Sequence, residues 1–338
     1  MTDAKAETIR ATDIAEEDGL LFAVQMDGKG SGELLHWNDI TKWQSTHGPL
    51  WVHVDAGSAH VRNWLETESG LSAITIEALL DPEARPRVFQ GKTGYITILR
   101  GINLNEGAHP EDMVALRLWC DGSRVISLRH EYLRTPRIAL DELIGGGKGP
   151  ESAPALFEHL IGLLIDYVGT AIDEYEGRLE HIETCVDDMD IQQLRGELSE
   201  LRQDIVFVRR HMAPQKSALE RLLDFPPVWM TDEQKLLIRE SADQFERYLE
   251  DLDEFRERAI VVKDDMLNRQ NERMNQNMYV LSIIAAVFLP LGFLTGLLGI
   301  NVGGMPGVDS SDAFWITCAS LIVITAGELW LFRKMGWL

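Results

Sequence analysis

Cysteine is scarce in this chain: Cys120, Cys185 and Cys318 stand far apart and share no short spacing. Such dispersed thiols build neither a disulfide framework nor a zinc knuckle, and they read as free thiols of a reducing compartment. Basic residues are in deficit too, 32 Lys and Arg against 54 Asp and Glu, for a net charge of −22. That balance excludes nucleic acid as a partner and charge-driven adhesion to an anionic leaflet. An acidic bulk can gather cations, although the same charge also serves plain solubility. Residues 1–19 contain no apolar run, so no secretory signal is expected there. Enzyme signatures are missing as well, with no nucleophile elbow, Walker motif, kinase set or His-Glu-x-x-His. The chain is therefore expected to be no enzyme and to hold no cofactor.

Long uncharged runs are absent until the end, where two occur. Met278 to Gly299 carries no charge and Ala313 to Phe332 carries one, Glu328. Each is long enough to cross the hydrocarbon core, which takes about 20 residues. Arg269 and Arg273 precede the first run and Arg333 and Lys334 follow the second, while Ile300 to Asp312 has no Lys or Arg. Both termini should therefore be cytoplasmic, with the connecting loop outside.

Upstream, strand-like runs at Leu20–Gln25, Leu50–Val54, Tyr95–Leu99, Met113–Trp119 and Val125–Leu128 alternate with helical patterns at Ala59–Glu68 and Ala73–Leu80. Asp27-Gly28 and Asp121-Gly122 are hairpin signals. The fold class expected is thus an α/β cytoplasmic domain over 1–150, followed by a hairpin of long helices over 151–230. Gly145 to Pro154 reads as a linker. Its Gly-Gly-Gly-Lys-Gly lacks the Ser or Thr that a phosphate loop places after Lys. His181 and Cys185, four apart on a helix, make a zinc pair without a third ligand, and Val186 to Asp190 is an acidic bend.

A stalk helix is expected over 231–277, opened by the capping-box pair Thr231 and Gln234, and no Gly or Pro interrupts the pattern until Pro290. Stalk and first span, 278–299, can form one helix roughly 100 Å long at about 1.5 Å per residue. Ile238, Ala242, Phe245, Leu249, Leu252, Phe255, Ala259, Val262 and Met266 form an apolar seam along it. Such a seam needs cover, which identical stalks would provide, so self-association is expected. In the first span Gly292, Gly296 and Gly299 with Ala285 give a small-residue face, and Asn275, Met278, Ser282, Leu289 and Gly292 lie on a related one. Several copies around an axis would enclose a narrow, mostly apolar tube. A simple helix-packing face in a membrane anchor would look the same.

The loop over 300–312 continues Gly299-Ile300-Asn301-Val302-Gly303-Gly304-Met305-Pro306-Gly307. Here the chain resembles the CorA superfamily of divalent cation transporters, and the Gly-x-Asn-x-Gly-Gly-x-Pro-Gly form is similar to its zinc-transporting ZntB branch. Glu83-Ala84-Arg85-Pro86-Arg87, the run Leu99 to Asn105, Pro110 to Val114 with Arg117-Leu118-Trp119, and Arg333 to Leu338 carry the resemblance across almost the whole chain. It implies a homopentamer in a bacterial inner membrane, in contact with membrane lipids, with a cytoplasmic funnel, a pore-lining first span, an outer second span over 313–332 and a basic cytoplasmic tail over 333–338. Counted back without gaps from the loop, the family's pore positions fall on Asn275, Met278, Leu281, Leu289, Gly292 and Asn301, beside Gly299 and Ile300. Its regulatory stalk carboxylate falls on Glu240, with Asp243 nearby.

Ile300 stands where magnesium channels carry Met, and Gly303-Gly304 where an acidic and an aromatic residue often follow, which points away from magnesium and toward zinc. The pore positions nevertheless hold no His, Cys, Asp or Glu, and only Met278 is soft. A ring of Asn301 amides could instead bind a hydrated cation weakly. A magnesium, cobalt or nickel channel is the alternative cargo reading, and a membrane-anchored metal sensor or interaction protein the alternative class. Glu328 reads either as an interface anchor or as a proton-coupling group.

Overall fold

The computed structural model describes residues 16–103, 105, 107, 112–145, 147–186, 191–300, 307 and 310–337. Two compact units emerge, Met1–Val262 and Lys263–Leu338. In the first, β1 (Leu20–Met26), β2 (Gly32–Leu34), β3 (Leu50–Asp55), β4 (Arg87–Gln90), β5 (Tyr95–Gly101), β6 (Val114–Cys120) and β7 (Arg124–Arg129) form one sheet in the order β2-β1-β3-β7-β6-β5-β4. Only β3 and β7 pair in parallel, Val52 opposite Ile126. The Asp27 and Asp121 turns make the two expected hairpins. Asp27 accepts the amides of Lys29 and Ser31 at 2.7 and 3.0 Å, and Asp121 those of Ser123 and Arg124 at 2.9 and 2.8 Å, the way Asx side chains fix a turn.

One face of the sheet packs its alternate residues, Val52, Val54, Ile96, Ile98, Ile126 and Leu128, against α1 (Trp37–Ile40), α2 (Ala59–Thr67) and α3 (Ala73–Leu80). Ser58 and Ser72 cap α2 and α3 through the amides of Val61 and Thr75. On the other face lie Trp51, His53 and Ser127, where both the Trp51 indole and the His53 Nδ1 meet the Ser127 hydroxyl at 2.8 Å. Burial pushes His53 down from 6.5 to about 3, with Arg129 nearby adding to the shift. His53 is therefore a neutral core residue. The short strands β2 and β4 escape a sequence reading, since three or four residues carry too little alternation.

Then follow α4 (Arg134–Ile144), α5 (Ala153–Cys185), α6 (Ile191–Asp224), α7 (Asp232–Leu298) and α8 (Ala313–Lys334). The linker is shorter than expected: Ser152 caps α5 through the Ala155 amide at 3.2 Å, so Ala153 and Pro154 already lie in its first turn. The buried stripe of α5 is Leu156, Leu160, Leu164, Val168, Tyr175 and Leu179, while Leu163 and Tyr167 are half-exposed. Thr231 and Gln234 form the capping box, at 3.2 and 2.9 Å, and α7 then runs for 67 residues through Pro290.

The apolar seam of α7 requires a correction. Ile238, Phe245, Leu252 and Ala259 are each 0% exposed within a single chain. Its own α5 and α6 reach this helix: Arg258 pairs with Glu183 at 2.7 Å, Arg209 with Asp253 at 2.8 Å and Lys216 with Glu246 at 2.7 Å. Gly169 leaves room for Tyr248, whose hydroxyl would sit 2.3 Å from an added Cβ. The seam therefore gives no argument for self-association.

Candidate functional site

Among the described residues three helices are long and apolar enough to cross a membrane by length and composition, α5, α7 and α8. The apolar stretch of α5 is 56% buried, as a core helix should be, whereas those of α7 and α8 are 0% buried. The exposed stretch of α7 carries the predicted site residues.

Within the unit Lys263–Leu338 the two helices share one face each. Ile283, Ala286, Val287, Pro290, Leu291 and Leu294 of α7 are half-covered, as are Thr317, Leu321, Ile324 and Thr325 of α8. The Tyr279 hydroxyl donates to the Trp337 carbonyl, and Phe332 stacks on Trp337. Asn275, Met278, Leu281, Ser282, Leu289 and Gly292 are all exposed. At about 100° per residue their stripe lies roughly 150° around α7 from the face shared with α8. An added Cβ at Gly292 or Gly296 would meet nothing within 4 Å, so this small-residue face is open.

Polar groups in this helix are largely satisfied internally, as hydrocarbon demands. The Ser282 hydroxyl donates to the Met278 carbonyl at 2.8 Å and Thr295 to Leu291 at 2.9 Å. Pro290 has no N–H to offer the Ala286 carbonyl, one turn back. At the helix end the Gly299 amide still donates to the Thr295 carbonyl at 3.0 Å, and Ile300 is 47% exposed. Asn301 lies outside the described residues. The stripe thus places Met278, Leu281 and Leu289 together on one open side, without a charge.

The remaining sequence candidates are dispersed. Glu240 and Asp243 are exposed on α7, and Glu240 accepts from Arg247 at 2.9 Å. His181 and Cys185 approach to 3.6 Å, but among the described residues no group of three or more His, Cys, Asp or Glu could hold a metal. The acidic bend beyond them, 187–190, lies outside the described residues. One oxygen of Glu328 is buried with no hydrogen-bond partner, on the α8 side that carries Leu321 and Ile324.

Known proteins resemble this chain over almost its whole length. The family model described as CorA-like Mg2+ transporter protein matches residues 47–334. The divalent cation transporter CmaX of Pseudomonas aeruginosa is 36% identical over 333 residues, covering 98% of this chain and 100% of that protein. Its full-length structure superposes with a TM-score of 0.81 over 96% of this chain and 99% of its own. The zinc transport protein ZntB of Pectobacterium carotovorum is 32% identical over 328 residues, 96% of this chain and 97% of that protein. The CorA magnesium transporter of Methanocaldococcus jannaschii, only 18% identical, shares the fold at a TM-score of 0.77 over 94% of this chain and 98% of its own.

Proposed function

This chain belongs to the CorA-like Mg2+ transporter family and is a membrane transporter of divalent cations, and from that premise we propose that its cargo is zinc and its path a pore enclosed by identical copies. The carrying observation is the open stripe Asn275, Met278, Leu281, Leu289 and Gly292, exposed on the side of α7 opposite α8. A helix that shows lipid one apolar side needs no second, glycine-bearing open side, whereas copies packed around an axis would use it. Five copies, as the resemblance implies, would put α7 inside and α8 outside.

The reading assigns the narrow outer end to Gly299, Ile300 and Asn301. Oxygen donors there would hold a cation through its water shell and release it, while the apolar stretch offers nothing that traps it. Zinc is supported by the relative named as a zinc transport protein and by the Gly303-Gly304 pair. The absence of soft ligands other than Met278 on the stripe supports the second reading, in which magnesium, cobalt or nickel is carried. Two spans with both termini in the cytoplasm follow from the basic flanks of α7 and α8 and the Lys- and Arg-free loop. Glu240 and Asp243 are assigned to a divalent-cation contact between neighbouring copies, where the ion would screen repulsion between stalks.

The test is purified protein in liposomes loaded with zinc- or magnesium-sensitive dye, with imposed pH gradients. Zinc-dependent signal in protein-containing vesicles alone is expected. Magnesium signal without zinc signal would transfer the proposal to the second cargo, and neither signal from an assembled oligomer would remove the pore.

A further inference from the structure

Within the unit Met1–Val262, β5 and β6 meet the segment that follows α3 around a cavity of about 60 Å3. Arg100, Arg117, His130, Pro82 and Met113 line it, with the exposed Glu131. Arg117 is 2% exposed, a rare place for a guanidinium without a carboxylate. Its Nη2 donates to the carbonyls of Asp81 and Pro82 at 3.0 and 3.3 Å, and its Nε is buried with no partner. Among the described residues the Arg100 guanidinium likewise donates only to backbone carbonyls, of Met113 at 3.0 Å and Ala84 at 3.4 Å. His130 Nε2 lies 3.2 Å from the Leu80 carbonyl and donates to it.

The nearby carboxylates are engaged elsewhere. Asp81 takes the Glu83 amide at 3.0 Å on one oxygen and Arg87 at 4.0 Å on the other, and Glu131 is solvated. Burial, with the Arg100 charge next to it, lowers Arg117 to about 10. Two guanidiniums therefore face one small space, held by backbone dipoles and lacking, among the described residues, a counter-charge in contact. Taking a charge out of water without a partner is unfavourable, and an anion in contact would offset that. A cavity of this size has room for a few waters or one small ion.

We propose that this cavity binds one small inorganic anion of about chloride size, held by Arg100 and the free Nε of Arg117. Bound there, the anion ties the segment Leu80 to Ala84, at the head of the Glu83 to Arg87 motif, to β5 and β6. The site is independent of the transport reading, so either can fail alone.

The test uses full-length protein with bromide as probe. Crystals grown with bromide in place of a bulky organic anion should show an anomalous peak between Arg100 and Arg117, whereas Arg100→Gln crystals should not. In solution, bromide exchanged for gluconate at constant ionic strength should raise the wild-type unfolding temperature saturably, and Arg100→Gln should lose that saturable part. A wild-type map without bromide in the cavity overturns the proposal whatever the variant does. So does a saturable rise that Arg100→Gln retains in full.

Discussion

Asn301 and His53 show how differently single residues were legible. The loop around Asn301 was readable as a motif, and its chemistry separates under substitution. Gly would keep a turn while removing the amide. We expect an assembled Asn301→Gly oligomer to carry at least tenfold less metal in the dye assay; near-normal flux would leave Asn301 a helix-end residue only. His53 lies in the strand-like run Leu50–Val54 with nothing in the sequence to mark it, because sequence does not show that Ser127 and Trp51 close over it. Its proton affinity is lowered in the fold, so between about 6.5 and 3 the unfolded chain binds a proton that the native chain does not. Stability must then fall as pH falls through that window, by at most roughly 1.4 kcal/mol per pH unit. His130 and His211, both lowered mainly by burial, add in the same direction. Denaturant unfolding at stepped pH should give a shallower slope for His53→Gln, whose amide can still accept from Ser127. Equal slopes would mean that His53 is not the group responsible. Arg100 and Arg117 were visible as motif letters, but their confinement was not, since arginine is read by default as a surface residue.

At the scale of the element, α7 teaches the limit of periodicity. The spacing from Ile238 to Val262 marks a face that is buried except at the half-exposed Leu249, but apolar spacing records that a side is dry and not what dries it. In one chain α5 and α6 supply the cover, and truncating the fully buried phenylalanine of the seam, Phe245→Ala, should cost about 3 to 5 kcal/mol in denaturant unfolding. A loss below about 1 kcal/mol would show that the site is not the closed core described here. The membrane-type half of α7 makes a second prediction, carried by its two faces. In a background lacking Cys120, Cys185 and Cys318, cysteine at Leu281 or Leu289 should react with a bulky charged thiol reagent and lose flux. Cysteine at Ile283 or Leu294, on the side shared with α8, should react at least tenfold more slowly. Equal rates at all four positions would remove the distinction between a lining face and a packing face. Short strands such as β2 and β4 stayed hidden for the opposite reason: they are fixed by neighbours in the sheet and carry almost no pattern of their own.

For the whole molecule, charge distribution decides how the chain meets a membrane. Of the net charge of −22, all but the single carboxylate of Glu328 belongs to the chain outside the two apolar runs, where Lys and Arg are outnumbered but present. Around the runs the asymmetry reverses: Arg269, Arg273, Arg333 and Lys334 flank α7 and α8, and 300–312 has only Asp309 and Asp312. Retention of basic flanks on the cytoplasmic side sets orientation, and acidic residues count little in that rule. The two crossings proposed above would leave the acidic unit with the cell interior and its cations, and the loop outside. Ser310 and the ends of α8 can report this, because Ser310 is exposed and belongs to neither helix. With native cysteines replaced, a Ser310→Cys protein should be labelled in intact cells by a membrane-impermeant maleimide. Met335→Cys, just beyond α8, should be labelled only after lysis. If Met335→Cys were the one labelled in intact cells, the orientation would be inverted, and if both were, the chain would cross the membrane only once. Labelling at Ser310 alone would fix the acidic unit on the cytoplasmic side.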